Sequence, residues 1–410
     1  MLRHDRGRDL SELAVHGGQP VRTSPMPGWP HFDDEDVAAV REVLASGQVN
    51  YWTGDQGRAF EVEFASTVGS RHAVAVANGT VALEIALRAI GVGPGDDVIV
   101  PAATFIATAS AVVTCGARPV VADVDPMTQC LTADSAAQMI TERTKAVIVV
   151  HLAGHPATMD PLVTLTRRHG IVLVEDCAQA LGAKYRGRNV GTFGDIAAWS
   201  FCQDKILTTG GEGGAITTHN EQLWRRCWEM KDHGKSHAAV HQRHHRDGYR
   251  WLHESFGTNG RMTEMQAAVG RSQLKKLEAW VRQRRANAEV LIDALCDEPA
   301  LRVNAPPAEC EHAYYKFYAH VRPERLAPGW DRDRVVGVIA AEGVPCLHGG
   351  CTEIYRELAF RDIEGVPMEL PNAARLGRTS LMLLTHPTLS TADMVDVAAA
   401  VTKVLRKATA

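Results

Sequence analysis

The sequence predicts an α/β fold: a large domain built on a mostly parallel sheet with helices on both faces, followed by a smaller α+β domain. Three observations carry this. Short runs rich in β-branched residues, at 72–77, 97–100, 118–124, 145–150, 171–174 and 196–200, alternate with helical stretches. The runs are apolar throughout instead of alternating with polar residues, as in strands covered on both faces. A Pro-free helical pattern over 262–295 then leads to a Pro-rich opening, Asn304-Ala305-Pro306-Pro307, of a second region.

Taken in order, the first thirty residues are rich in Gly, Pro and Arg and read as an extended arm with little packing of its own. From Asp33 to Val68 apolar positions recur at helical spacing around a break at Tyr51-Trp52-Thr53-Gly54. The strand and helix alternation follows, and 262–295 reads as one long helix bridging two domains. Beyond it come a strand over 312–321, a helix near 331–342, a loop at 343–354 and a closing amphipathic helix over 391–405. The expected division is an arm at 1–30, a large domain at 31–280 and a small domain at 281–410.

Composition narrows the function classes. With 410 residues, 45% hydrophobic and 22% charged, the chain has the size and apolar content for two substantial cores. Its 44 Lys+Arg against 48 Asp+Glu give no field that would recruit nucleic acid or an anionic membrane. No run of some 18 residues is apolar enough to span a bilayer and no signal-like segment opens the chain, so a cytoplasmic protein is expected. Nine scattered cysteines without a CxxC pair read as reduced and mostly buried thiols.

Four segments carry chemistry. The first runs from Trp199-Ser200-Phe201 to Lys205 and on into Gly210-Gly211-Glu212-Gly213-Gly214. A strand delivers a Ser and then a Lys into a loop whose glycines let backbone approach a ligand closely. The second is Glu175-Asp176 at the end of a strand, the edge where open parallel sheets bind ligands. Asp176 there is either a site acid or the cap of a following helix. Third, Asn78-Gly79-Thr80 opens a helix and offers amides, a hydroxyl and the positive dipole end to an anion, although an ordinary capped start gives the same tripeptide. Fourth, Phe105 follows another strand, where it either stacks on an aromatic ligand or fills core.

Together these segments resemble the DegT/DnrJ/EryC1/StrS sugar aminotransferases, within the fold-type I pyridoxal-phosphate enzymes of the aspartate-aminotransferase superfamily. The resemblance runs from about Trp29 to the C-terminus and includes Gly79-Thr80, Thr104 to Thr108, Glu175-Asp176, Ser200-Phe201 with Lys205, and Gly257 to Glu264. It implies a seven-stranded, mostly parallel sheet and pyridoxal 5'-phosphate as cofactor. Lys205 is then the Schiff-base lysine and proton carrier, where the group's dehydratase branch has a His. Asp176 faces the ring nitrogen, Phe105 stacks on the ring and Gln179 bonds its hydroxyl. Gly79, Thr80 and Ser200 hold the phosphate, joined by Asn259 from a second subunit, so an obligate homodimer with a shared site is expected.

The partners implied are an amino donor, Glu or Gln, and a keto-sugar acceptor. Glu212, His233, Arg261, Tyr314 with its neighbour Tyr315, and His348 are candidate substrate contacts without assigned roles. Six histidines between His233 and His253 lack the spacing of a zinc site and read as a polar loop over the cleft, so no metal is expected. Three classes stay open: a nucleotide-linked 4-keto or 3-keto deoxysugar aminotransferase, placed first; a cyclitol or aminobenzoate-type enzyme, suggested by Leu13 to Arg22; and a non-catalytic regulator that kept the fold.

Overall fold

The computed structural model describes residues 12–245 and 247–409. Among the described residues, nine strands precede the C-terminal region: β1 His72–Val76, β2 Asp97–Pro101, β3 Arg118–Ala122, β4 Thr144–Val150, β5 Val172–Asp176, β6 Lys184–Tyr185, β7 Arg188–Asn189, β8 Ile196–Ser200 and β9 Gly214–Thr218. Seven of them form one sheet in the order β1-β9-β8-β5-β4-β2-β3, and every pair is parallel except those made by β9. β4 and β5 are almost wholly buried, in keeping with their unbroken Val and Ile content. Each such side chain contributes about 1.5–3 kcal/mol when removed from water.

Helices α1 Asp34–Ser46, α2 Gln56–Val68, α3 Gly79–Ala89, α4 Ala107–Thr114, α5 Ala133–Ala137, α6 Met159–His169, α7 Glu221–Lys231 and α8 His237–His241 pack around this sheet or lead into it. Three apolar clusters fill the layers between them. α3 illustrates the local logic. Asn78 is extended and its side chain accepts from the Val81 amide at 2.9 Å, while Ala82, Leu83, Ile85, Ala86 and Leu87 bury one face.

The stretch 262–295 is not one helix. It divides into α9 Glu264–Leu274 and α10 Leu277–Leu295 around Lys275-Lys276. α9 belongs to the large sheet's side: the buried Glu264 carboxylate accepts from the Gln56 and Gly57 amides at the start of α2, at 2.5 and 3.0 Å. α10 packs instead on the closing helix of the chain.

The C-terminal region adds β10 Leu301–Val303, β11 Cys310–Glu311, β12 Phe317–Val321, β13 Cys346–Leu347 and β14 Ser380–Leu383, with α11 Arg332–Ala341, α12 Pro371–Thr379 and α13 Thr391–Ala408. β10-β12-β14-β13 make an antiparallel sheet, and β11 joins the β6-β7 hairpin. The expected strand over 312–321 begins only at Phe317, because Tyr314 takes a left-handed φ of 48°. The arm is extended but far from bare. Leu13 and Val21 are buried in the small region's core, and the buried Glu342 accepts from the amides of Ala14 and Val21 and from Lys403 Nζ.

Candidate active site

β1 and β8 both run antiparallel to β9, so β1, β8, β5 and β2 point the same way and present their carboxyl ends along one edge. That edge gathers the residues that open α3, follow β2, end β5 and leave β8. It is the edge at which open α/β sheets bind ligands.

At one end of the edge, the amides of Gly79 and Thr80 begin α3, where helix geometry supplies no internal partner for them. Ser200 lies against this turn so closely that a Cβ on Gly79 would sit 2.7 Å from the Ser200 Cβ. A Cβ on Gly214 would likewise meet the Asn78 carbonyl carbon at 2.5 Å. Amides, two hydroxyls and a helix N-terminus converge here, a cradle suited to a phosphate.

Asp176 ends β5 and is buried. One carboxylate oxygen accepts from Thr108 Oγ1 at 3.0 Å and the other from the Ala178 amide at 3.1 Å, and Thr108 in turn lies 2.8 Å from Thr104 Oγ1. Burial pushes the Asp176 carboxyl up, and these bonds together with the field of Lys205 only partly offset it. No cation pairs with it among the described residues. A buried carboxylate of this kind suits a protonated ring nitrogen. Gln179 stands nearby with its Oε1 accepting from the Ala153 amide at 2.7 Å, which leaves its NH2 group for a ligand. Phe105 is 68% exposed, an apolar face uncovered within the protomer.

Lys205 follows β8 in a loop held at both flanks: the Phe201 amide donates to Gly213 O and the Gln203 amide to Gly211 O. Its carbonyl accepts from the Trp29 indole at 2.8 Å. Lys205 Nζ lies 3.3 Å from the Tyr315 hydroxyl, which itself donates to Asp204. Asp204 Oδ1 is 3.7 Å from Lys205 Nζ and Oδ2 is 3.8 Å from Lys316 Nζ. Burial opposes ionisation of Asp204, but Lys205, the Tyr315 hydroxyl and Lys316 outweigh it and hold the carboxyl low. Burial, and then Asp204, push the Tyr315 hydroxyl up, so it stays protonated.

Asp204 and Lys316 were given no role from the sequence, and Tyr315 entered only as half of the candidate pair Tyr314-Tyr315. Of that pair Tyr314 turns the other way: its ring stacks on His312 at 4.0 Å and sits in the core of the small region. Neighbours in a strand-like segment face opposite sides, and the left-handed Tyr314 sets which one reaches Lys205. Arg261 pairs with the buried Asp232 at 2.7 Å and bridges by its backbone to Val76, close to the α3 turn. Glu212 stands beside Cys202, 3.8 Å from its Sγ. His233 and His348 do not join the cluster: the first is exposed with its amide on Thr258 O, and the second lies 3.4 Å from Asp333 on the wall of a cavity of about 350 Å³. Asn259 is exposed and has no side-chain hydrogen bond among the described residues.

Glu175 points to the other face of β5. Its oxygens accept from His151 Nε2 at 3.0 Å and from the Gly191, Phe193 and Gly194 amides, while His151 Nδ1 accepts from the Ala157 amide. Cys177 completes a group of metal-ligand types, but the Glu175 and His151 atoms are already committed to these bonds.

The family described as the DegT/DnrJ/EryC1/StrS aminotransferases matches residues 30–402. An aminotransferase of Psychrobacter cryohalolentis is similar in structure, with a TM-score of 0.92 and 49% identity, covering 94% of this chain and 100% of that one. The L-glutamine:2-deoxy-scyllo-inosose aminotransferase of Streptomyces kanamyceticus is 38% identical over 97% of both chains. The dTDP-3-amino-3,4,6-trideoxy-alpha-D-glucose transaminase of Streptomyces venezuelae is 37% identical over 90% of this chain and 91% of its own.

Proposed function

The chain belongs to the DegT/DnrJ/EryC1/StrS aminotransferase family, and from that premise we propose that it moves an amino group from an amino-acid donor to the ketone of a cyclitol ring. It is a pyridoxal-phosphate-dependent sugar aminotransferase with a fold-type I architecture. The observation that supports the cyclitol reading is the 38% identity to a 2-deoxy-scyllo-inosose aminotransferase along 97% of both chains. The nucleotide-linked keto-deoxysugar, first in the sequence reading, becomes the second reading, supported by the 37% identity to the dTDP-sugar transaminase.

The buried, unpaired Asp176 and the cradle at Gly79 and Ser200 fit the cofactor's ring nitrogen and phosphate. When bound, pyridoxal phosphate supplies an aldehyde carbon that takes up nitrogen and a ring that withdraws electrons from it. Gly79, Thr80 and Ser200 would hold the phosphate, Phe105 would cover one ring face and Gln179 would donate to the ring hydroxyl. Lys205 would tether the cofactor, and its freed Nζ would carry the proton from the donor's α carbon. Tyr315 donates its own proton to Asp204, which leaves its oxygen free to accept from Lys205 Nζ and so to orient it.

A homodimer completes the site in this reading. Asn259, Thr80 and Phe105 are exposed in the protomer, as are Trp251 and Phe256 close to Asn259 in sequence, so a second subunit has both polar groups and apolar area to cover.

The test is the absorption spectrum of the protein with pyridoxal phosphate, first with L-glutamine or L-glutamate and then with acceptors. The expected result is a visible band, absent in Lys205→Ala, that bleaches with the donor and returns with a cyclitol ketone. Return only with a nucleotide keto-sugar selects the second reading. A band that no amino acid bleaches overturns both and leaves a non-catalytic regulator.

A further inference from the structure

Two ammonium groups share one aromatic ring beside the β8 edge. Lys205 Nζ and Lys316 Nζ lie 4.7 and 4.8 Å from the centre of the Tyr315 ring. The same two groups face a single carboxylate, Asp204, which is already occupied by the Tyr315 hydroxyl. Behind them Arg284 is wholly buried without an acidic partner among the described residues. Among these, its Nη1 reaches only the carbonyls of Tyr314 and Tyr315, each at 3.4 Å, and its Nε and Nη2 have no partner. The arm seals this side: Trp29 lies over the Arg284 guanidinium at 5.1 Å and against His386 at 6.3 Å. Burial, reinforced by Arg284 and Lys316, holds the His386 imidazole down at about 4, so it adds a neutral ring and no charge. The cluster therefore gathers three cationic side chains around one anion, and a buried excess of positive charge is costly until an anion joins it.

An α-amino acid carries that anion at a fitting place. Its amino group is delivered where Lys205 Nζ stands, and its α-carboxylate is one carbon away. Of the three cations, Lys205 is consumed by the chemistry and Arg284 is fully buried. Lys316 is the one left with part of its side chain, 16%, open to the site. We propose that Lys316, with Arg284 behind it, anchors the α-carboxylate of the amino donor and so selects α-amino acids over simple amines. The proposal rests on the aminotransferase reading and adds to it the group that recognises the donor. Tyr315 then has a second use, as the spacer that keeps the anchoring cation and the reacting amine on one ring.

The test compares Lys316→Gln and Lys316→Arg with the wild type, each loaded with cofactor, using L-glutamine and its carboxylate-free counterpart γ-aminobutyramide. For Lys316→Gln the half-saturating L-glutamine concentration rises about 10- to 100-fold, the range for losing a hydrogen bond to a charged group. Lys316→Arg recovers most of that, the half-reaction with the keto acceptor loses far less than the donor half-reaction, and γ-aminobutyramide reacts poorly with all three proteins alike. A second measurement needs neither a variant nor turnover: carbamylation of Lys316 by cyanate in the cofactor-free wild type, followed by peptide mass spectrometry. L-Glutamine slows that labelling and γ-aminobutyramide does not. Equal loss in donor and acceptor half-reactions overturns the proposal, as does equal protection by both amines, or by neither. Protection by uridine diphosphate alone also overturns it, assigning the cations to a nucleotide. Should the wild type transfer nitrogen from no amino acid, the aminotransferase reading falls by itself, and the labelling still decides what Lys316 binds.

Discussion

Lys205 Nζ meets the hydroxyl of Tyr315 at 3.3 Å, a contact between the loop after β8 and the segment that opens the C-terminal sheet. The amine proposed to react is thus positioned from outside its own domain layer. Tyr315→Phe keeps the ring and deletes the oxygen, so Lys205 loses its orienting acceptor and Asp204 its donor. The donor half-reaction slows about 10- to 100-fold in stopped-flow absorbance, at the lower end of what a positioned proton carrier contributes. The melting temperature of the loaded protein changes little, and a large fall there would make Tyr315 merely structural.

Asp176→Asn separates stability from function. Burial raises the Asp176 carboxyl, so the stability it contributes is present below the ordinary carboxylate range and is lost as pH rises through the raised folded value. In the cofactor-free protein the surroundings therefore oppose ionisation of this carboxyl. Replacing it with Asn stabilises the cofactor-free form by about 1–3 kcal/mol by thermal or urea unfolding. The same change removes the charge that would keep the ring protonated, and transamination falls by about 100-fold or more.

Glu175 titrates with the opposite sign. Burial opposes its ionisation, but His151 and the amides of Gly191 and Gly194 prevail and hold the carboxyl below its ordinary range. Its contribution is complete above the unfolded carboxylate value and is lost as pH falls through the lowered one. Glu175→Ala strands His151 and three amides in a dry site and costs about 3–5 kcal/mol in urea unfolding at neutral pH. The gap between variant and wild type narrows on acidification below pH ~4. A gap that stays constant with pH would mean that the carboxylate is not the operative group.

Gly79→Ala tests the cradle. The added methyl would press against the Ser200 Cβ at 2.7 Å, with the Ser200 backbone behind it, so the turn must open. Cofactor affinity measured by fluorescence titration drops about tenfold or more, while α3 and the fold persist because Ala favours helix. Unaltered affinity would place the phosphate elsewhere.

The parallel part of the sheet was legible because strands such as 145–150 and 171–174 are apolar on both faces, a pattern few other elements share. β9 escaped notice because Gly214-Ala215-Ile216-Thr217-Thr218 is short, small and half polar, and its place between β1 and β8 is decided by pairing alone. The break between α9 and α10 was hidden by Lys275-Lys276, residues that suit a helix as well as they suit its interruption. Lys205, Asp176 and Ser200 stood out because each sits at the end of a readable strand. Tyr315 showed only as half of a tyrosine pair, since its partner lies 110 residues earlier. Local pattern reports what an element buries, whereas the choice between two adjacent identical side chains rests on one backbone torsion, at Tyr314.

The reversed strand β9 also fixes when, during synthesis, this protein can first hold its cofactor. β9 pairs His72 with Thr218 and Ser200 with Gly214, so the chain must emerge past residue 218 before α3 and the Lys205 loop share an edge. Contacts this distant in sequence form late, because the chain entropy between them is lost before the contact repays it. A ribosome-bound chain ending short of β9 holds the pieces of a phosphate cradle without the cradle. A cofactor held in that cradle would therefore stabilise only the completed sheet, by an amount set by its concentration relative to its dissociation constant.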